Sequence, residues 1–328
     1  MYILGIETTC DETSCAVLKN YKVLSNITIS SLKEYKKYGG IIPEIAVRAH
    51  LENIDKVLNL ALLKADILLK NIGLISVSYK PGLIGALAVG LNFAKALSLS
   101  LNKPYIGINH LYAHIFSPFL DNKKNIIFPF LGVVVSGGHT ELYYVDDFDK
   151  IKLIGSTEDD ACGEIYDKIA REFNLGFPGG PFIDKIFKFK FKDSFKFKCG
   201  RKDFNLSFSG IKTAMIYKKR ELEKKGLLNK ETKIKLLSSF QESVIKTLVD
   251  TIFDAAKKYK LNRIVLGGGV SANRYLRFLL NKKNKDIKLL MPDIKYTQDN
   301  AAMVAGLGFY LYNKKKLISL MNLKAIPN

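Results

Sequence analysis

The 328-residue chain has no tryptophan and only four cysteines, four histidines and nine prolines. Cys10, Cys15, Cys162 and Cys199 form no CxxC pair, which argues against a zinc ribbon or a thioredoxin-like site. So few thiols suit a reducing compartment better than a disulfide scaffold. Long hydrophobic runs are scarce too: stretches such as 128–136 fall short of the ~20 residues that span a bilayer. The opening Tyr2-Ile3-Leu4-Gly5-Ile6 is followed by Glu7, Asp11 and Glu12, without the basic start and apolar core of a signal peptide. The expectation is a soluble cytoplasmic protein that makes no membrane contact. Acids are outnumbered, 31 against 51 lysines and arginines, for a net charge of +20. That excess favours an anionic partner, nucleic acid first, because each phosphate pairs with a Lys or Arg. Lysine far outnumbers arginine, however, and an AT-rich genome produces that bias by itself, so charge alone does not decide the function. What is present is ordinary: 48% hydrophobic and 25% charged residues, as in globular chains. The length fits about two domains, or one α/β unit of two lobes.

Apolar and β-branched runs predict strands at 3–6, 14–18 and 23–30, and Gly39-Gly40 breaks the chain. Pro43 stands where a helix begins, and an amphipathic pattern runs over about 44–69. A strand at 74–79, a helix at 84–101, a strand at 105–108 and a helix at about 110–120 follow. Polar residues 121–125 mark a boundary. The second half opens as the first does, with strands at 130–135 and 141–145 around a small-residue tip. Helices are expected at about 160–173, 182–187, 209–225, 230–260, 272–281 and 300–312, with a strand at 263–266. The repeated opening suggests a duplication. The expected architecture is a bilobal α/β fold with a cleft between its lobes. Lobe one is 1–125, with the C-terminal helix at 300–328 packing back on it, and lobe two is 126–299 with a helical insertion.

Three segments, 5–9, 136–140 and 267–271, place turns of small residues directly after apolar strands. Exposed backbone N–H groups in such turns make concave anion sites. Three together resemble the two phosphate turns and nucleoside turn of the actin/Hsp70/sugar-kinase superfold. His110 and His114 stand at i and i+4, so one helix face carries both imidazoles to a single cation. Leu111 occupies the position where a zinc protease of the HExxH type needs its glutamate, which argues against protease chemistry. Asp299 is either the N-cap of the last helix or the carboxylate that completes a His₂-carboxylate site for iron or zinc. Spacing does not choose. Residues 187–192 alternate Phe and Lys, which as a strand puts phenylalanines on one face and lysines on the other. That strand is either half-buried with a solvated basic face or a patch that grips an RNA backbone.

Further ordered motifs join these: Ile6-Glu7-Thr8-Thr9-Cys10-Asp11-Glu12-Thr13, Gly39-Gly40 with Pro43-Glu44, Pro81-Gly82-Leu83, His110 to His114 and Ser136-Gly137-Gly138-His139-Thr140. Asp167, Gly179-Gly180-Pro181, the run from Ser207 to Thr213, Gly268-Gly269-Val270-Ser271-Ala272-Asn273 and Asp299-Asn300-Ala301 continue the pattern. In this order they resemble the TsaD family, once called O-sialoglycoprotein endopeptidases, in its bacterial or organellar form, over about residues 2–312. The resemblance implies transfer of the threonylcarbamoyl group from threonylcarbamoyl-AMP to N6 of the adenosine 3′ of the anticodon, in tRNAs reading ANN codons. It implies His110, His114 and Asp299 as ligands of one Fe²⁺ per subunit, or Zn²⁺. It implies Val134, Val135, Ser136, Gly137, Gly138, Asp167, Gly180, Asp184 and Asn273 as the hold on the adenylate, with Asp11 and Glu12 at the reacting end. Partners of the TsaB and TsaE kind are implied if the chain is bacterial. Lys80 departs from the family, which commonly has glycine before Pro-Gly-Leu. The competing expectation is an ATP-dependent kinase or ATPase of the same superfold.

Overall fold

A strand apolar up to its last residue must be covered on both faces, and β1 (Tyr2–Glu7) is buried from Ile3 onward. The computed structural model describes residues 1–35, 41–122, 125–283 and 286–327. The Gly39-Gly40 break lies outside the described residues. After β1 come β2 (Glu12–Lys19), β3 (Lys22–Ser30), the single turn α1 (Leu32–Tyr35), α2 (Pro43–Ala65), β4 (Ile72–Lys80), α3 (Ile84–Leu101), β5 (Tyr105–Asn109) and α4 (His110–Phe116). The sheet order is β3-β2-β1-β4-β5. The β1–β2 and β2–β3 pairs are antiparallel, and β1–β4 and β4–β5 are parallel.

Helix α2 starts on Pro43 and buries Ala46, His50, Ile54, Val57, Leu58 and Ala61 at the three- and four-residue spacing of one face. It stops at Asp66, whose φ of 54° ends the helical hydrogen bonding. Helix α3 is long and apolar enough to cross a membrane. Ala86, Leu87, Leu91 and Ala94 are instead buried, and α3 packs on β4. Helix α4 is shorter than the pattern suggests, because the chain tightens into a 3₁₀ turn from Ser117 and leaves helical geometry at Leu120 and Asp121.

The second unit contains β6 (Phe130–Val135), β7 (Thr140–Asp147), β8 (Lys150–Ser156), α5 (Cys162–Glu172), α6 (Gly179–Ile186), β9 (Gly200–Lys202), β10 (Asn205–Ser207), α7 (Ser209–Lys224), α8 (Lys230–Lys258), β11 (Arg263–Gly267), α9 (Arg274–Lys283) and β12 (Lys288–Leu290). Its main sheet has the order β12-β11-β6-β7-β8. Here β6–β7 and β7–β8 are antiparallel, and β11 is parallel to both β6 and β12. Strand for strand this is the topology of the first sheet, the duplication that the two strand–turn–strand openings foretell. The chain ends with α10 (Ala301–Lys315), which packs on β1, β2 and β4. The compact units are therefore Met1–Ile126 with Pro292–Asn328, and Ile127–Met291.

One expectation fails. Residues 187–198 are not a strand: Phe189–Phe191 makes a 3₁₀ turn and no ladder forms on either side of it. Backbone groups still need partners, and serines of α8 supply them. Ser238 Oγ accepts from Lys188 N at 3.0 Å and Ser239 Oγ from Phe195 N at 3.0 Å. Ser239 and Ser243 donate to the carbonyls of Phe191 and Phe197, each at 3.2 Å. The hydroxyls of a helix have taken the place of a neighbouring strand.

Candidate functional site

In the first unit, α4 starts directly at the end of β5, with Asn109 Oδ1 accepting from Leu111 N at 2.8 Å and Tyr112 N at 3.3 Å as its N-cap. This start faces His110 and His114 the same way, their ring centroids 4.6 Å apart. Asp299 joins them from just before α10. Its Oδ1 lies 3.0 Å from His114 Nε2 and 3.5 Å from His110 Nε2. One ligating atom from each of the three residues falls within 4.8 Å of the others. Asp299 is not the helix cap: that is Asn300, whose side chain accepts from Met303 N at 3.1 Å. Of the two roles open to Asp299, the cap is thereby taken.

Sequence reasoning gave Glu7 no role, yet it supports this cluster. It has no exposed surface, and three donors reach its oxygens. Thr9 N donates to Oε1 at 2.7 Å, and Ser78 Oγ and His110 Nδ1 donate to Oε2 at 2.6 and 2.9 Å. Burial works against a charge on His110, but Glu7 and Asp299 outweigh it and its pKa is pushed up to about 9. Two imidazoles and a carboxylate with converging atoms are the donor set that suits a divalent iron or zinc ion. A carboxylate behind the first imidazole fixes which ring nitrogen is free for the ion. The residues fit the metal. The signal for Glu7 was available: an acid closing a wholly apolar strand is too costly to bury without a task.

The Thr8–Thr13 turn is braced from several elements. Thr8 Oγ1 donates to Ala86 O at 2.9 Å, and His50 bridges Thr13 Oγ1 at 2.8 Å and Cys10 O at 3.1 Å. Asp11 O accepts from Ser31 Oγ at 2.8 Å. Burial raises the Glu12 carboxyl well above its ordinary range, and the charges of Asp299 and Asp11 raise it further. Burial raises Asp11 too, against the hydrogen bond from Glu12. Asp11, Glu12 and Asp299 are thus close enough to feel one another.

In the second unit, Val134 and Val135 end β6, and Ser136, Gly137 and Gly138 turn the chain into β7. Ser136 O accepts from Gly163 N at 3.0 Å, which sets the start of α5 beneath the turn. A Cβ built at Gly137, Gly138 or Gly180 meets nothing within 4 Å, so these backbones are open to an approaching group. Gly268 differs: its φ is 88° and a Cβ there lies 2.4 Å from Val135 O, so its glycine serves the backbone. Asp167 Oδ1 accepts from Gly179 N at 2.6 Å. Asp184 and Asn273 are tied through the buried Gln241, which donates to Asp184 Oδ1 at 3.2 Å and accepts from Asn273 Nδ2 at 3.2 Å. Arg274 Nε lies 2.9 Å from Asp184 Oδ2. Gln241 and Arg274 escaped sequence reasoning; a glutamine between Phe240 and Val244 in an apolar stripe was the available sign.

Comparison with known proteins bears on the chain as a whole. A profile of the TsaD family, tRNA N6-adenosine threonylcarbamoyltransferase, matches residues 22–306. A protein of that name from Thermosipho melanesiensis is 47% identical, over 100% of this chain and 99% of its own. One from Thermodesulfovibrio yellowstonii is 47% identical over 98% and 97%. One from Protochlamydia amoebophila is 43% identical over 99% and 97%. Among solved structures, full-length HypF in its phosphate- and nucleotide-bound form aligns with a TM-score of 0.61 at 13% identity, over 96% of this chain and 47% of that one. Component A of Acidaminococcus fermentans (R)-2-hydroxyglutaryl-CoA dehydratase aligns at 0.55 and 13%, over 97% and 100%. These structures speak to fold alone, the duplicated α/β fold of actin, Hsp70 and the sugar kinases. Identity sustained from end to end speaks to more: the chain belongs to the TsaD family, and its activity is transfer of the threonylcarbamoyl group to N6 of a tRNA adenosine.

Proposed function

We propose that His110, His114 and Asp299 hold one Fe²⁺, with Zn²⁺ the other ion this donor set takes. Val134, Val135, Ser136, Gly137, Gly138, Asp167, Gly180, Asp184 and Asn273 bind threonylcarbamoyl-AMP, and Asp11 and Glu12 serve the reacting end. The observation that carries the reading is the convergence of two imidazoles and a carboxylate from α4 and the start of α10, with Glu7 behind His110. The adenylate is a mixed anhydride and already activated. The N6 amine attacks the carbamoyl carbon, the new C–N bond forms, the C–O bond to phosphate breaks and AMP leaves. When bound, the metal supplies Lewis acidity to the carbamoyl carbonyl. Glu12, once ionised, takes the proton released by the amine. Open backbone at Gly137 and Gly138 supports close approach of the nucleotide. The kinase alternative is not favoured, because relatives matched from end to end carry the transferase name.

The relatives quoted are bacterial, and proteins of the TsaB and TsaE kind are the partners this reading gives the chain, with the cytoplasm as its compartment. Elemental analysis of chain purified without chelators tests the metal assignment. Wild type carries about one iron or zinc per chain, and His110→Ala and His114→Ala carry neither while keeping their circular dichroism. Full occupancy in both variants removes the ligand set.

A further inference from the structure

We propose that residues 185–202, α7 and the first turns of α8 form the face that grips the phosphodiester backbone of tRNA; this rests on tRNA being the substrate. Residues 185–235 hold seventeen lysines and arginines against five acids, a net +12 out of the chain's +20. Codon bias spreads lysine along a chain; it does not gather the excess into 51 residues. Although 187–198 is no strand, part of the alternation survives in burial, with Phe189 the exposed exception. Phe187, Phe195 and Phe197 pack against the core of the second unit while Lys188, Lys190, Lys196 and Lys198 are exposed. The serine hydroxyls of α8 hold the backbone that presents them.

Shared rings show that the three segments make one surface. Lys190 lies 4.8 Å from the centre of the Phe191 ring, and Lys235 of α8 lies 5.3 Å from the same ring. Lys218 of α7 lies 5.9 Å from the Phe195 ring. Many lysines here are neutralised: Lys218 and Lys225 pair with Glu221, Lys235 with Glu231, and Lys192 with Asp193. Among the described residues, Lys188, Lys190, Lys196, Lys198, Arg220 and Lys224 form no ion pair, and all six are exposed. Unpaired cations on a braced backbone are what sequence-independent phosphate contact requires.

The test compares tRNA binding by the full chain across a salt series for wild type, Lys188→Ser/Lys190→Ser/Lys196→Ser/Lys198→Ser, and a control that removes four exposed lysines of the first unit, Lys56, Lys64, Lys70 and Lys103. The 188–198 variant should bind at least about tenfold more weakly at low salt, and its log–log salt slope should be flatter by about 3, since each lost phosphate contact removes ~0.7–0.9. The control should keep most of the wild-type slope. A wild-type slope in the 188–198 variant, or equal flattening in the control, overturns the proposal. Formation of threonylcarbamoyladenosine (t6A) by wild type, followed in parallel, separates that failure from failure of the substrate reading. A wild type that neither modifies nor binds tRNA overturns both.

Discussion

Glu7 shows how one buried carboxylate directs a site. Its oxygens take hydrogen bonds from Thr9, Ser78 and His110, and the last of these leaves His110 Nε2 turned toward Asp299. In Glu7→Gln the amide can donate to His110 Nδ1, which moves the ring proton to the nitrogen the metal needs. Metal affinity, measured by competition with a chromophoric chelator, should fall about 10–100-fold with the fold intact; an unchanged affinity would remove Glu7 from the site. The histidine pair was legible because i,i+4 spacing is a local signal. Asp299 was legible only as a choice between two roles, since its neighbours lie 185 and more residues away in the chain. In the second unit, burial pushes Glu141 up to about 6. Its protonated form fits the fold, so the stabilisation is complete below its ordinary pKa and is lost as pH rises through about 6. Glu141→Gln should therefore raise stability at pH 8 by on the order of 1 kcal/mol, discounted for partial exposure, and by nothing at pH 4. Thermal melts of both proteins at the two pH values check the sign.

At the scale of elements, α10 places Asp299. Its first residues are pinned to the sheet: Ala301 N donates to Ser14 Oγ at 3.0 Å and Ala302 N to Asn26 Oδ1 at 3.2 Å. A Cβ on Gly5 lies 2.1 Å from Ala301 O, a backbone atom held by those bonds. Gly5→Ala should cost about 2–3 kcal/mol in chemical denaturation and weaken metal binding as Asp299 is displaced. Stability and metal affinity both at wild-type level would show that α10 yields freely. Helices and central strands were legible from periodicity, and α3 and β6 were expected at the bounds they have. Four strands escaped: β8 and β12 are the two edges of the second sheet, and β9 and β10 are three-residue strands of a separate two-stranded sheet. β8 carries Lys150 and Lys152 and β12 is only three residues long, so neither has the apolar run that announces a strand. The Phe–Lys segment misled for the opposite reason. Alternation reports burial, here at Phe187, Phe195 and Phe197, and serine hydroxyls can satisfy the backbone of such a segment without a ladder.

Across the whole molecule, one five-stranded topology occurs twice and the two copies have specialised. The first carries the histidine–aspartate cluster and the second carries the open glycine turn and most of the positive charge. The fold class was legible because the two openings repeat in sequence. The supporting residues, Glu7 in the first unit and Gln241 and Arg274 in the second, were not, because they depend on contacts between segments distant in the chain. This chain transfers threonylcarbamoyl to tRNA, and the proposed site for that transfer is built on His110, His114 and Asp299. The most direct measurement supplies purified chain, with partners of the TsaB and TsaE kind, with threonylcarbamoyl-AMP and unmodified tRNA, and quantifies t6A by mass spectrometry of the digested nucleosides. Wild type should form t6A, and folded Asp299→Ala at least about a hundredfold less. Wild-type amounts from that variant, or none from wild type, would contradict it.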